Sequence, residues 1–485
     1  MKRREHDRGS TRARTQRFLF PAGGLAIAIV LNGCALVRPP TQPETLANAL
    51  PEGTAVPGRW ASRANRQPVT NNWVKSFHDP GLDRVVDQAV ANNLDLRQAA
   101  ARVQVAQQIV QVVRSSLLPK VGIDTGHSTT YVSGESNRTD SQQQLGLFSW
   151  EIDLWGKLRS RTAAAKASSQ AAGLDYAYAR QSLAATTAKL WYLAIEAQQL
   201  RALAERDVSI YTELLRLVNA RQVAGRVSDF DVVQAQASVA EARSASLEAQ
   251  SAYTEAIRGL EQLIGRYPAA DLRISSNYPR MPGKVRAGLP STLLERRPDV
   301  AAAEQKVLAA FREVKAARLA LLPSFNLNMT GGRLSDNLLS ILKLNPWLVY
   351  GVIDMTVPIY SGGELIAKVR IATAKQQEAV ASYGSTVLTA FREVENGLTS
   401  DTILAQRVAL QAAAVNDRGE AVRIGNLKFN AGSIDLLSLL QLQSYQNASE
   451  AALIKLQDTR IANRINLYLA LGGGFDNAPA ASDQP

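Results

Sequence analysis

Between Leu190 and Val218 the apolar positions Leu190, Leu193, Ala197, Leu200, Ala204, Val208, Tyr211, Leu215 and Val218 step by three or four residues, the spacing of a coiled-coil seam. They belong to an uninterrupted helical pattern from about Lys157 to Gln222, and a second one runs from about Glu364 to Asn430. At ~1.5 Å per residue each is a rod of roughly 100 Å. No single compact core covers such a rod, so it must pack side by side with its neighbours. Ahead of each rod the period changes to two. Val121, Ile123, Thr125 and Thr129 alternate with Gly and polar residues, and Phe148, Trp150, Ile152 and Leu154 alternate with Ser149, Glu151 and Asp153. Later, Phe325, Leu327 and Met329 alternate with Asn326, Asn328 and Thr330, while Trp347, Val349, Ile353, Met355, Val357 and Ile359 share one face. The pattern predicts four strands in two hairpins, joined by Gly-, Ser-, Asn- and Asp-rich loops from Ser133 to Asp140 and from Gly331 to Asn337. A further helix is expected from about Leu82 to Ser116, stopping before Pro119.

The chain repeats itself. NNLDLRQAAARVQVAQQIVQVVRSSLLPKV from Asn92 lies over RRPDVAAAEQKVLAAFREVKAARLALLPSF from Arg296, with Leu117-Leu118-Pro119 on Leu321-Leu322-Pro323 at a shift of 204. AGRVSDFDVVQAQ from Ala224 lies over AGSIDLLSLLQLQ from Ala431 at a shift of 207. A unit this long is half a molecule used twice, not the short stacking unit of a solenoid. The expected organisation is a leader over 1–33, an extended segment over 34–75, a first repeat over 76–265, a Pro-rich linker over 266–290, a second repeat over 291–472 and a disordered tail over 473–485.

The leader reads as a secretory signal: a basic stretch from Lys2 to Arg17, then FLFPAGGLAIAIVL, then Leu31-Asn32-Gly33-Cys34. Leu-x-Gly-Cys after an apolar run resembles the bacterial lipobox, which implies that Cys34 becomes the first mature residue and carries covalent lipid. Multiple acyl chains give stable anchoring where one gives only marginal binding. Ala35 after it resembles an outer-membrane sorting signal. Cys34 is the only cysteine of the chain, which excludes an internal disulfide and a Cys-based metal cluster.

Removing the leader lowers the formal charge from +12 to +7, because it holds seven Lys or Arg against Glu5 and Asp7. The remaining cations are scattered among acids along Ala- and Gln-rich stretches, so nucleic acid is not an expected partner. The mature chain has only His78 and His127, with no nucleophile motif, metal-ligand spacing or phosphate loop, so no enzyme, cofactor or metal site is expected.

Four strands cannot close a barrel alone, since the smallest membrane barrels have eight and an open edge in lipid leaves backbone groups unsatisfied. If these strands sit in a membrane, the chain must oligomerise, and two or three copies both give an allowed even number. Trp150, Trp155, Trp347, Tyr350 and Tyr360 near strand ends suit aromatic girdles. A soluble sheet with the same alternation remains open on strand pattern alone.

The order of these parts, with SFHDPGLDRVVDQAVANNLDLRQAAARV, the paired Leu-Leu-Pro turns, EIDLWGK and its counterpart PIYSGGE, and Ala-Gly turns followed by Gln-x-Gln, resembles the TolC-like outer-membrane efflux proteins. The closest branch is the NodT-type lipoproteins of resistance-nodulation-division pumps. The resemblance covers about residues 34–472. It implies a mainly α fold with a membrane β-barrel: a homotrimer with a twelve-stranded β-barrel in the outer membrane of a Gram-negative bacterium and an α-barrel in the periplasm. It also implies docking to an inner-membrane pump through a periplasmic adaptor, for efflux of small molecules. A protein-secretion duct of the same fold, or a lipid-anchored periplasmic scaffold without a pore, are the alternatives.

By the same resemblance, Ala224-Gly225 and Ala431-Gly432 form hairpin tips that meet the adaptor, and Asp231 matches a position in the network that locks the entrance. Its usual partners differ here, with Phe429 for a tyrosine and Ile434 for an arginine, while Ser438 and Gln441 stand where acids often form a ring. Asp229, Asp231 and Asp435 remain as gate candidates. Each also precedes or opens an apolar run, as a helix N-cap does.

Overall fold

The computed structural model describes residues 38–62, 65, 67–131, 138–335 and 348–475. The leader, Cys34, Trp347, the centres of both strand loops and most of the tail lie outside the described residues. Met1–Pro40 and Thr41–Pro485 are separate units, and the described helices and strands all belong to the second.

Helix α1 (Gln42–Ala49) falls inside the segment expected to be extended. Pro43 sits in its first turn, where the missing N–H costs nothing, and the Glu44 carboxylate accepts the Thr41 N–H at 2.8 Å. A 3₁₀ turn at Val74–Phe77 follows. The expected helix over 82–116 is in fact two, α2 (Pro80–Asn92) and α3 (Leu94–Ser115). Asn93 divides them in extended backbone at ψ 128°, capping Leu96 N–H at 3.0 Å and donating to the Leu263 carbonyl at 3.1 Å. Its amide caps the second helix and ties the break to the distant Leu263 carbonyl, so capping overrides the apolar period.

Strands β1 (Lys120–Tyr131) and β2 (Arg138–Ile152) precede α4 (Lys157–Val223) and α5 (Asp229–Leu263). Then α6 (Pro290–Arg296), α7 (Pro298–Leu319), β3 (Ser324–Ser335), β4 (Leu348–Thr356), α8 (Glu364–Asn430) and α9 (Leu436–Ala470) complete the chain. The duplication is visible in the lengths: α3 and α7 have 22 residues each, α4 and α8 have 67, α5 and α9 have 35. β2 begins inside the stretch expected as loop and β3 ends inside the other, because ladder pairing continues through polar residues. Conversely Leu154, Val357 and Ile359 lie beyond the strand ends.

All four strands form one antiparallel meander in the order β1-β2-β3-β4. Helix α4 packs on α3, α5, α7 and α9, and α8 packs on α1, α7 and α9. There are thus two helical hairpins, α4–α5 and α8–α9, joined along an α4–α9 seam.

The main core lies around the middle of the rods, where Ala184, Ala185 and Ala188 of α4 let neighbours approach closely. Trp73, Phe77, Tyr192 and Tyr468 cluster there, with Trp73 stacked on Tyr468 at 5.9 Å between ring centres. The N-terminal strap ties into this core: Trp60 donates to the Ala287 carbonyl at 3.2 Å, and the Ala61 and Ser62 N–H groups meet the two oxygens of Glu395 at 2.7 and 3.1 Å. Buried charges fasten the linker. Glu261 accepts the N–H groups of Ala270, Asp271 and Leu272, and Arg464 donates to the carbonyls of Pro282 and Gly283. Burial alone would raise the Glu261 carboxyl, but those three N–H donors hold it below the usual carboxylate range.

Each long helix and each return helix ends in the same way, with a glycine at positive φ. At Gly225 and Gly432 a side chain would meet nothing, whereas at Gly472 a Cβ would lie 2.8 Å from the Arg296 carbonyl oxygen. The turn geometry asks for glycine at the tips, and close packing asks for it a second time at the equator.

Candidate functional site

The two turns predicted as hairpin tips come together at one end of the rods. Leu214 and Val218 of α4, Ala235 of α5, Phe429 of α8 and Leu436, Leu439 and Leu440 of α9 share a second apolar cluster there. Ala224 and Ala431 are the terminal caps of α4 and α8, and the glycine after each closes the turn: Gly225 N–H donates to Gln222 O at 2.8 Å and Gly432 N–H to Phe429 O at 3.0 Å.

The candidate acids act locally. Asp231 accepts the Ser228 backbone N–H at 2.9 Å and its hydroxyl at 2.8 Å, Asp229 accepts Gln222 Nε2 at 2.7 Å, and Asp435 accepts the Ser438 N–H at 2.8 Å. The Ser438 side chain and N–H hold the Asp435 carboxyl below its usual range. Gln441 donates to the Tyr445 hydroxyl at 2.8 Å, one turn along the same helix. Each of these bonds stays within one hairpin. A polar contact that crosses between the hairpins at the tips is made by a residue that sequence reasoning missed. Arg221, in the last turn of α4, donates to the Phe429 carbonyl at 3.1 Å and to Asn430 Oδ1 at 3.2 Å, with its guanidinium 4.0 Å above the Phe429 ring. Its available signal was a cation in the last turn of a helix, where exposed carbonyls attract it. Around the tips Val223, Phe230, Leu427 and Leu437 are exposed.

At the other end, the register sorts the sheet into two faces. Val121 pairs with Phe148, Phe148 with Met329, Trp150 with Leu327, Leu327 with Ile353, and Phe325 with Met355, so these share one continuous apolar face. Lys120, Ser149, Asn328 and Val352 form a row on the opposite face, and Glu151, Asn326 and Asp354 form another. Asn328 donates to Asp354 at 3.0 Å, and Lys157 pairs with Glu151 at the foot of the sheet. Of the aromatics expected in girdles, Trp150 and Trp155 also fasten the Leu-Leu-Pro turns, donating to the Leu117 carbonyl at 3.0 Å and the Pro323 carbonyl at 2.7 Å. Tyr350 pairs with Thr330 and therefore lies on the polar face.

Among the described residues, β1 and β4 each have a strand partner on one side only. The helix that leads into β1, α3, exposes Val105, Ile109 and Val112, an i, i+4, i+7 stripe, and the helix that follows β4, α8, exposes Ile366 and Ile371. Each edge strand is thus joined in sequence to a helix with exposed apolar side chains.

A family model described as outer membrane efflux protein matches residues 85–266 and 289–473. The solvent efflux pump outer membrane protein SrpC of Pseudomonas putida is 30% identical over 92% of this chain and 97% of its own length. The pyoverdine export outer membrane protein OpmQ of Pseudomonas aeruginosa is 29% identical over 88% of this chain and 93% of its own. Among solved structures, the CmeC outer membrane channel of Campylobacter jejuni has the same fold, with a TM-score of 0.81 and 24% identity over 90% of this chain and 96% of that one.

Proposed function

The chain belongs to the outer membrane efflux protein family and is the outer-membrane channel of an efflux system, and we propose that it works as a lipid-anchored homotrimer that carries small molecules, joined to an inner-membrane pump by a periplasmic adaptor. The observation that carries closure by several copies is the four-stranded sheet, apolar on one face and unpaired at both edges, while likeness to the outer membrane efflux proteins supplies the number three. In a four-strand meander the outer strands run in opposite directions. β4 of one copy therefore meets β1 of the next as an antiparallel pair, and three copies give twelve strands with every backbone group paired. The apolar face then meets hydrocarbon and the polar face lines water. Below the sheet, the exposed stripe on α3 meets the α8 border of the neighbouring copy, so strand edges and helix borders close around the same axis. Small molecules are the cargo favoured by the names of the relatives, one for solvent and one for pyoverdine.

The test joins assembly to conduction. The native chain, extracted in mild detergent, should be trimeric and form stable channels in planar bilayers, whereas Ile109→Glu would bury an unpaired carboxylate at each of the three borders. That variant should run as monomer by light scattering and give no conductance. A native chain that stays monomeric while folded, or a trimer that never conducts after Arg221→Ala loosens the tip, sinks the reading in favour of a scaffold.

Reach along the chain supports the lipid anchor. Gln42 donates to Glu304 at 3.1 Å, and Glu304 is about 22 Å along α7 from its sheet-proximal end. The Ala49 carbonyl packs on Gly384, about 30 Å along α8 from its own sheet-proximal end, so the N-terminus of α1 points toward the sheet. Cys34 to Gln42 spans at most about 27 Å of extended chain, a contour longer than the roughly 22 Å between Glu304 and the sheet-proximal end of α7. The mature protein should accordingly have a mass that begins at Cys34 with acyl groups added, and Cys34→Ser should lack them. An unmodified native N-terminus would remove the anchor and leave the channel.

A further inference from the structure

Where the two hairpins of one chain touch, α4 and α9 run antiparallel, and they bring acids face to face. Glu196 of α4 stands opposite Asp458 of α9, close enough for their carboxyl groups to share a hydrogen bond. Asp207 repeats the arrangement three turns nearer the tip, opposite Asn447 and near Glu450. Both pairs obey one register, since each residue moves 11 positions along its own helix in the opposite sense. Oδ1 of Asp458 and Oδ1 of Asp207 are both shut away from solvent without a hydrogen-bond partner. A packed seam with shielded, unpartnered carboxyl oxygens opposite other acids is unfavourable when all of these groups are ionised, and becomes favourable when they retain protons.

We propose that the Glu196–Asp458 pair, with Asp207 as a second member, is a proton-held latch that keeps the two hairpins of one protomer together and loosens as the protons leave. The charges facing the upper pair from each side are few. Lys455 of α9 favours ionisation of Glu196, and Tyr278 of the linker lies against both acids, its hydroxyl donating to the Ile454 carbonyl at 3.4 Å. Burial raises both carboxyls, and Lys455 offsets that rise at Glu196. At the lower position Arg206 pairs with Glu450, Asn447 bonds to Asp207, and Tyr211 and Glu241 complete the surroundings.

Burial and the facing Glu196 push the Asp458 carboxyl up to about 7. Burial, partly offset by Arg206, pushes Asp207 up to about 6. In a loosened seam both acids are solvated and titrate in the ordinary carboxylate range near 4. The closed seam therefore binds more protons than the loosened one between about pH 4 and 7. Its proton-linked stabilisation is complete below that window, declines as pH rises through it, and is gone above about 7. The closed-to-loosened ratio should fall by up to about tenfold per pH unit for each acid within its own window.

The experiment uses the full chain with spin labels at Ala202 on α4 and Ala448 on α9, both exposed, diluted into unlabelled protein so that distances within one protomer dominate. The native distance distribution should be narrow at pH 5 and broaden by pH 8. Asp458→Asn, neutral and of the same shape, should lose the upper part of that change, and D207N/D458N should keep the narrow distribution throughout. Infrared spectra should show a protonated-carboxyl band in the native protein at pH 6 that D458N diminishes. A native distribution identical at pH 5 and 8, a double variant that broadens like the native, or no protonated-carboxyl band overturns the latch. None of these results depends on conduction or on the number of subunits.

Discussion

Arg464→Ala is expected to lower stability by about 3–5 kcal/mol, the cost of leaving a buried charge without its partner. The Arg464 side chain is 3% exposed and makes five hydrogen bonds: three to the Asp401 carboxylate at 2.8 to 3.0 Å, and two to the carbonyls of Pro282 and Gly283 at 2.9 and 2.7 Å. Its removal orphans a carboxylate on α8 and two backbone acceptors of the linker, so the linker should detach as the helices weaken. Thermal unfolding followed by circular dichroism should show a lower midpoint, and limited proteolysis should gain a cut between Arg266 and Gly288. Arg423→Ala is the control, since its pair with Glu420 at 2.7 Å is fully solvated and such pairs contribute little. Equal unfolding midpoints for the two variants would show that Arg464 is not the clamp.

Ile123→Lys and Asp124→Lys should part company although they are adjacent on β1. Ile123 lies on the apolar face, 74% exposed in the single chain, and a lysine there faces hydrocarbon at about 2–4 kcal/mol per chain near mid-membrane. Threefold repetition makes this enough to stop the barrel forming, seen as loss of the heat-resistant oligomer on gels. Asp124→Lys puts its charge on the water-lined face, so the trimer should form and the channel should shift in selectivity from cations toward anions in bilayer reversal potentials. If both variants assemble alike, the assignment of faces is wrong.

The long helices were readable because a seam of apolar residues repeats every three or four positions, and nothing in Lys157–Val223 or Glu364–Asn430 interrupts it. The strands were readable in their apolar halves only. Gln142, Gln143 and Gln144 continue the β2 ladder without any alternation to announce it, since backbone pairing asks nothing of side-chain polarity. The tip turns were placed from the Ala-Gly pairs together with the family resemblance, whereas the clasp between them was not. Arg221 and Phe429 sit at the ends of two rods from opposite halves of the repeat, so no local spacing connects them.

Local pattern and duplication determined, from residues alone, that this chain makes two matched halves of strand pair, rod and return helix, and that one copy is too small to enclose a pore. Those are properties of neighbouring residues, or of equal positions in two halves, and are written along one dimension. Tertiary structure alone decided that Asn93 splits a helix, that α1 packs on Gly384, that Trp150 and Trp155 fasten turns, and that Glu196 meets Asp458. In each case the deciding partner lies far away in the chain, and only packing brings its donor, carbonyl or carboxyl within a few ångströms.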